Sequence, residues 1–228
     1  MGREVKIITT EDGSHSLFVP ELNETYHSFH GAYRESVHVF MLYGLEAWFV
    51  RNPNRFPVRI FEVGFGTGLN AWLSLVWAEQ YKVPVLYHSI EPFPLEEEVY
   101  SQLNYTEIDN SIYHYAPYFQ MLHKTSWNEG TVVSEYFNMK KDTSTLEEAV
   151  LYPCDVIFFD AFAPSKQPEL WSREMLSKVV ETMNQGAVFV TYCAQGQLKR
   201  NLKELGLAVE TLPGPPGKKE MTRAWKVD

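Results

Sequence analysis

The sequence predicts an α/β fold: a doubly wound, mostly parallel sheet that ends in an antiparallel edge hairpin. Three observations carry this. Short apolar runs alternate with helical patterns between Arg59 and Leu205, as expected of parallel strands joined by crossover helices. A glycine-rich loop, Gly64-Phe-Gly-Thr-Gly68, lies between the first of those strands and the first of those helices. Finally, the chain closes on two consecutive strand patterns, Leu207–Leu212 and Met221–Val227, joined by Pro213-Gly-Pro-Pro-Gly-Lys-Lys219.

Taken in order, Val5–Thr10 and His15–Val19 flank Asp12-Gly13, a hairpin signal. A polar, histidine-rich segment spans Asn23 to Gly31. From Ser36 to Val50, Val37, Phe40, Met41, Gly44 and Trp48 share one helical face, and Pro53 and Pro57 end the pattern. Strands are expected at Arg59–Val63, Val85–Ile90, Thr131–Phe137, Asp155–Phe159 and Gly186–Cys193. Helices are expected at Leu69–Gln80, Pro94–Leu103, Pro168–Met183 and Gln197–Leu205. With the closing pair this makes six to seven strands.

The 228 residues suit a single α/β unit, and 45% hydrophobic residues suffice for a sizeable core, which argues against disorder. No apolar run reaches the roughly 18 residues of a membrane helix, so no membrane partner is expected. The N-terminus lacks the basic-then-apolar layout of a signal peptide. Cys154 and Cys193 each lie in or beside an apolar run and read as buried free thiols, and two thiols alone make no metal cage. A reducing cytoplasm is the expected location. The net charge is −9, which weighs against a polyanion partner, but it is unevenly spread. From Gln195 to Asp228, seven Lys or Arg face four Asp or Glu, so a polyanion would meet this part first.

The loop Glu62-Val-Gly64-Phe-Gly66-Thr-Gly68-Leu-Asn70 follows a strand and opens a helix. Its glycines permit sharp turns and a close backbone approach to a ligand, and the helix offers free N–H groups. The dinucleotide fingerprint G-x-G-x-x-G requires Gly at position 69, where this chain has Leu. An acid followed by G-x-G-x-G is instead the S-adenosylmethionine pattern, and Glu62 is placed to order the loop or hold the methionine ammonium. Glu91, at the end of the next strand and 29 residues on, is expected to accept the ribose hydroxyls. Asp142 is a candidate for the adenine amino group, with an exposed loop acid as the plain alternative. The expected architecture is therefore the class I methyltransferase, Rossmann-like version of the doubly wound sheet. Residues 1–57 would form an N-terminal β-hairpin and helical extension, and residues 58–228 the methyltransferase domain.

Asp160 ends the fourth strand, where ligands bind in open α/β sheets. After four apolar residues its carboxylate is partly desolvated and needs a partner, which a cationic amine substrate supplies. Phe162, Pro164 and Trp171 are positioned to wall a flat ring, with core packing as the alternative reading.

The run Asp160-Ala-Phe-Ala-Pro-Ser-Lys-Gln-Pro-Glu-Leu-Trp171 resembles the D-[AG]-F-A-P-x-K-x-P-x-x-W signature of the MnmC-type tRNA wobble-uridine methyltransferases. Glu62–Asn70 resembles their glycine loop, Tyr192–Leu202 their fifth strand and following helix, and Gly214–Met221 their basic hairpin. The resemblance runs from about Glu24 to the C-terminus. It implies methylation, with S-adenosyl-L-methionine, of 5-aminomethyl-(2-thio)uridine at the tRNA wobble position to the 5-methylaminomethyl form. Asp160 would be catalytic. Tyr26, Glu62, Gly64, Gly66, Gly68, Asn70, Glu91 and Asp142 would hold the cofactor. Phe162, Lys166, Lys199, Arg200, Lys218, Lys219 and Arg223 would face the anticodon region of the tRNA. Well-known relatives carry a second, flavin-dependent oxidase domain. The 228 residues leave no space for one, so a separate enzyme is expected to supply the aminomethyl intermediate. Two other readings stand beside this one: a methyltransferase for a small amine or a protein, and a nucleotide-binding module without methyl chemistry.

Overall fold

The computed structural model describes residues 3–227. Strands β1 (Lys6–Thr9), β2 (His15–Val19) and β3 (Glu24–Thr25) form a small antiparallel sheet. The turn between β1 and β2 is organised by Asp12. One of its carboxylate oxygens accepts from Ser14 N and Thr10 Oγ1, and the other accepts from Arg34 N. That last bond caps a helix from 22 positions away, so the helix starts at Ala32 rather than at the expected Ser36. It runs as α1 (Ala32–Ser36), a π-helical stretch Val37–Glu46 and α2 (Ala47–Arg51). A Cβ on Gly44 would come within 2.9 Å of the Val190 side chain, so the glycine lets this rod lie close on the main sheet.

The main sheet has eight strands in the order β10-β11-β9-β8-β4-β5-β7-β6. β4 (Val58–Val63), β5 (Val85–Ile90), β7 (Phe137–Asp142), β8 (Cys154–Phe159) and β9 (Met183–Thr191) are parallel. β10 (Leu207–Pro213) and β11 (Glu220–Lys226) form the antiparallel edge hairpin, with β11 paired to β9. Helices α3 (Leu69–Tyr81), α7 (Arg173–Glu181) and α8 (Gly196–Glu204) are crossovers. This is the predicted fold class, with an eighth strand, β6 (Gly130–Val132), added antiparallel to β7.

Three elements differ from expectation. The third parallel strand is Phe137–Asp142, and the expected Thr131–Phe137 runs through the turn before it. The apolar pattern misled because β7 buries a lysine. Lys141 is 1% exposed and donates to the carbonyls of Leu122 (2.7 Å) and His123 (2.9 Å), capping a helix end. The expected helix Pro94–Leu103 is reduced to the single turn α4 (Glu97–Tyr100). Helical structure comes later instead, as α5 (Tyr105–Ile108), a 3-10 segment Asn110–Tyr115 and α6 (Ala116–Lys124). The expected helix Pro168–Met183 breaks at Ser172, whose side chain accepts from Met175 N and starts α7, while Met183 already belongs to β9.

One hydrophobic cluster runs across position 57: Leu17, Ala32, Phe40 and Trp48 pack with Val58, Ile60 and Val85. A second, on the other face, joins Phe159, Trp171, Leu176, Phe189 and Leu202. Cys154 and Cys193 are free and buried. No described helix is long and apolar enough to cross a membrane.

Candidate active site

A cavity of about 620 Å³ opens at the carboxyl ends of β4, β5 and β8. The chain order reverses between β4 and β8, and ligands bind open sheets of this kind at such a point. The loop after β4 forms its floor. Gly64, Gly66 and Gly68 all have positive φ, at 90°, 50° and 74°. A Cβ on Gly64 would lie 2.9 Å from the Asp160 carbonyl, and one on Gly66 would lie 3.1 Å from the Tyr26 ring. Side chains here would collide with the neighbouring strand and with the wall of the cavity.

Glu91 ties this loop to β5. Its carboxylate accepts from Gly66 N (3.0 Å) and Phe93 N (2.9 Å) and borders the cavity. Burial nevertheless holds its pKa above the ordinary carboxylate range. Glu62 lies behind the loop, 1% exposed, and accepts from Ser89 Oγ at 2.8 Å. Burial pushes its pKa up to about 8. Of the two roles open to Glu62, this placement supports ordering the loop, because the residue is not part of the cavity wall.

Asn70, in the first turn of α3, connects the loop to Asp160. Its Nδ2 donates to Asp160 Oδ2 at 2.9 Å, and its Oδ1 is buried without a partner among the described residues. Asp160 lines the cavity, and burial, reinforced by the Glu35 carboxylate, pushes its pKa up to about 7. Tyr26 and Phe162 complete this corner edge to face, with ring centroids 5.1 Å apart.

Several expected residues stand elsewhere. Asp142 accepts from His88 Nε2 at 2.8 Å, pairs with Lys140 and lies outside the cavity wall, whereas Ser144–Glu147, just beyond it, do line the cavity. Trp171 is core: it packs on Phe159 and donates its indole N–H to the Phe162 carbonyl at 2.8 Å, holding that loop in shape. Among the expected phosphate contacts, Lys166 donates to the Leu22 carbonyl (2.9 Å), Lys199 pairs with Glu220 (2.9 Å), and Arg223 pairs with Glu210 (2.6 Å). Lys218 pairs with the buried Glu35 at 2.5 Å. Arg200 and Lys219 are exposed. The sequence pattern does not reveal the acidic or carbonyl partners of four of these cations, which are 21, 13, 183 and 144 positions away.

Sequence reasoning also missed residues that the fold brings to the cavity. Arg3 lies over Phe93 (4.3 Å) and Phe162 (5.7 Å) at its mouth, and His27 forms part of its wall. Burial lowers the His27 pKa to about 4, so the ring is neutral near neutrality. No local motif signals either residue.

The family model described as S-adenosyl-L-methionine-dependent methyltransferase matches residues 120–227. The bifunctional protein MnmC of tRNA 5-methylaminomethyl-2-thiouridine biosynthesis from Cupriavidus necator is 30% identical over 220 residues, covering 91% of this chain and 32% of that protein. Its counterpart from Campylobacter hominis is 27% identical over 214 residues, covering 92% and 31%. The crystal structure of MnmC2 from Aquifex aeolicus superposes with a TM-score of 0.78 at 27% identity, over 97% of this chain and 69% of that one. This chain is an S-adenosylmethionine-dependent methyltransferase, similar to the MnmC proteins along nearly its whole length. It spans about a third of the length of the bifunctional MnmC relatives.

The cavity fits the family's cofactor on three counts. Its volume lies within the usual range for a small-molecule site, roughly 300–1,000 Å³. The bare glycine backbone leaves room for close approach. Asn70 Oδ1 is an acceptor waiting for a donor. Gly64, Gly66, Asn70 and Glu91 are the residues placed to hold it, with Leu146 and Met175 as apolar wall.

Proposed function

We propose that this methyltransferase methylates the aminomethyl nitrogen of 5-aminomethyl-(2-thio)uridine at the wobble position of tRNA, giving the 5-methylaminomethyl nucleoside. The observation that carries this reading is the Asp160 corner: a desolvated carboxylate, held by Asn70, in the wall of a cavity that the Tyr26–Phe162 ring pair also lines. Residues 58–228 are the catalytic unit, and residues 1–57 supply Tyr26, His27 and Arg3 to its mouth.

When bound, S-adenosylmethionine supplies a methyl group carried on a sulfonium. The protein's task is alignment and proton removal. An ammonium has no lone pair, so the incoming amine must give up a proton before it can attack. Asp160, buried and with a pKa near 7, is suited to accept that proton and keep the nitrogen oriented. Tyr26 and Phe162 offer an aromatic wall to a flipped-out uracil ring. Glu91 holds the loop under the nucleoside by its bonds to Gly66 and Phe93. The site of action is a reducing cytoplasm, in keeping with two free buried thiols.

The test is a reaction of the purified chain with labelled S-adenosylmethionine and tRNA carrying 5-aminomethyl-(2-thio)uridine, followed by nucleoside mass spectrometry. Label in the 5-methylaminomethyl nucleoside is expected, with none in tRNA that lacks the aminomethyl group. Equal transfer to a free small amine or a protein lysine would overturn the tRNA reading.

A further inference from the structure

Next to Asp160, three chain segments far apart in sequence converge on one buried ion pair. Glu35, from α1, is 3% exposed. One of its oxygens accepts from Ser28 N (3.1 Å), and the other pairs with Lys218, from the loop of the β10–β11 hairpin. The Lys218 ammonium lies 3.8 Å from the centre of the Tyr192 ring, whose hydroxyl donates to the Ala161 carbonyl at 2.8 Å. Ala161 and His27, the residue before Ser28, both line the cavity. Neither Glu35 nor Lys218 is itself in the cavity wall: the pair lies behind Ala161 and His27, so the carboxylate would meet an amine in the cavity only once Lys218 leaves it. The pair is also asymmetric: the Lys218 side chain is 29% exposed and that of Glu35 is 5%. Lysine lies on the solvent side of the carboxylate.

A buried carboxylate needs a cation, and removing the cation leaves a charge without compensation. In the free protein Lys218 fills that place. A primary ammonium on a substrate is the same chemical group as a lysine head: a compact cation with three donors.

We propose that Glu35 is a specificity-determining residue of this site, the carboxylate that selects a cationic aminomethyl substrate, and that the substrate's ammonium takes the place of Lys218 on it. The inference rests on the reading of the site as an amine methyltransferase. Glu35 receives the ammonium, and the neighbouring Asp160 then accepts its proton. Lys218, released and already on the solvent side, turns outward. Two carboxylates divide the work: Glu35 recognises charge, and Asp160 removes it.

The experiment measures binding of two tRNAs, one carrying the aminomethyl uridine and one with an unmodified wobble uridine, to holoenzyme loaded with S-adenosylhomocysteine. Wild type is expected to prefer the aminomethyl tRNA. Glu35→Gln is expected to lose that preference by about tenfold or more, as for a close charge pair, with affinity for unmodified tRNA unchanged. Lys218→Met frees the carboxylate and is expected to increase the preference. Should either single variant fold poorly, the double variant Glu35→Gln/Lys218→Met removes both charges together and is expected to show no preference. A preference retained in Glu35→Gln or in the double variant overturns the proposal. So does an equal loss of affinity for both tRNAs in Lys218→Met, the result for a plain phosphate contact. A wild type that methylates aminomethyl tRNA while Glu35→Gln keeps its preference sinks this inference alone. A wild type without preference or methylation removes the functional reading as well.

Discussion

Asp160 and Glu62 are both buried acids with raised pKa, yet they predict different behaviour. Asp160 lines the cavity, and in the proposed reaction it acts on substrate, so its protonation would set the rate. With a pKa near 7 in the free enzyme, kcat/KM should rise with pH through about 7 as the carboxylate becomes available. Asp160→Asn keeps the shape and one hydrogen bond to Asn70 but accepts no proton. Single-turnover methylation with saturating cofactor should fall about 10²–10⁴-fold, the usual contribution of a positioned acid–base group, and the limb near pH 7 should vanish. Affinity for S-adenosylhomocysteine should change far less, and a near-wild-type rate would make Asp160 a strand cap. Glu62 lies behind the loop and acts on stability. Its pKa is about 8 in the folded protein against an ordinary 4.5. A carboxyl raised in this way favours the folded state below about 4.5, and that contribution is lost as pH rises through about 8. The ligand-free protein should therefore melt at a lower temperature at pH 8 than at pH 5. Glu62→Gln should narrow that difference, and an unchanged difference would place the pH dependence elsewhere.

At the scale of elements, the glycine loop was the most legible part of the chain, because its function needs a backbone shape that few sequences allow. Gly66 has φ 50° and packs against the Tyr26 ring. Gly66→Val should abolish measurable S-adenosylhomocysteine binding in calorimetry while the circular dichroism spectrum persists, and retained affinity would remove the loop from the cofactor site. The strands β4, β5 and β8 were equally legible, being mostly apolar and bounded by turns. What could not be read was held by long-range polar bonds. Lys141 is a charged residue inside a strand only because the end of α6 accepts from it. The helix begins at Ala32 because Asp12 caps it from another hairpin. Asp160, Asn70 and Glu91 were legible as site residues since each ends a strand or starts a helix beside the loop. Glu35 was not, because its partner lies 183 positions away.

For the whole molecule the question is how a chain of net charge −9 would hold the proposed tRNA substrate. The positive excess lies in the C-terminal part, where three of the seven cations are held in ion pairs: Lys199 with Glu220, Arg223 with Glu210 and Lys218 with Glu35. Arg200 and Lys203, on α8, and Lys219, on the hairpin loop, are exposed on the same edge of the fold and are the cations available to phosphate. Counterion release makes log K fall with log salt by roughly 0.7–0.9 per phosphate neutralised. Three contacts would therefore give a shallow slope of about 2–3, and the proposed recognition would lean on the flipped base and its amine rather than on the backbone. Reversing Arg200 and Lys219 together to Glu should weaken tRNA binding and flatten this slope by about 1–2 units. Cofactor affinity should be unaffected, since neither residue borders the cavity. Fluorescence titrations of tRNA between low and moderate salt measure the slope directly. Lys218 is left intact in this variant, because reversing it would set two acids against each other in the buried pair and confuse a surface effect with a loss of the site. A slope unchanged by the double reversal would move the tRNA footprint to another face of the protein.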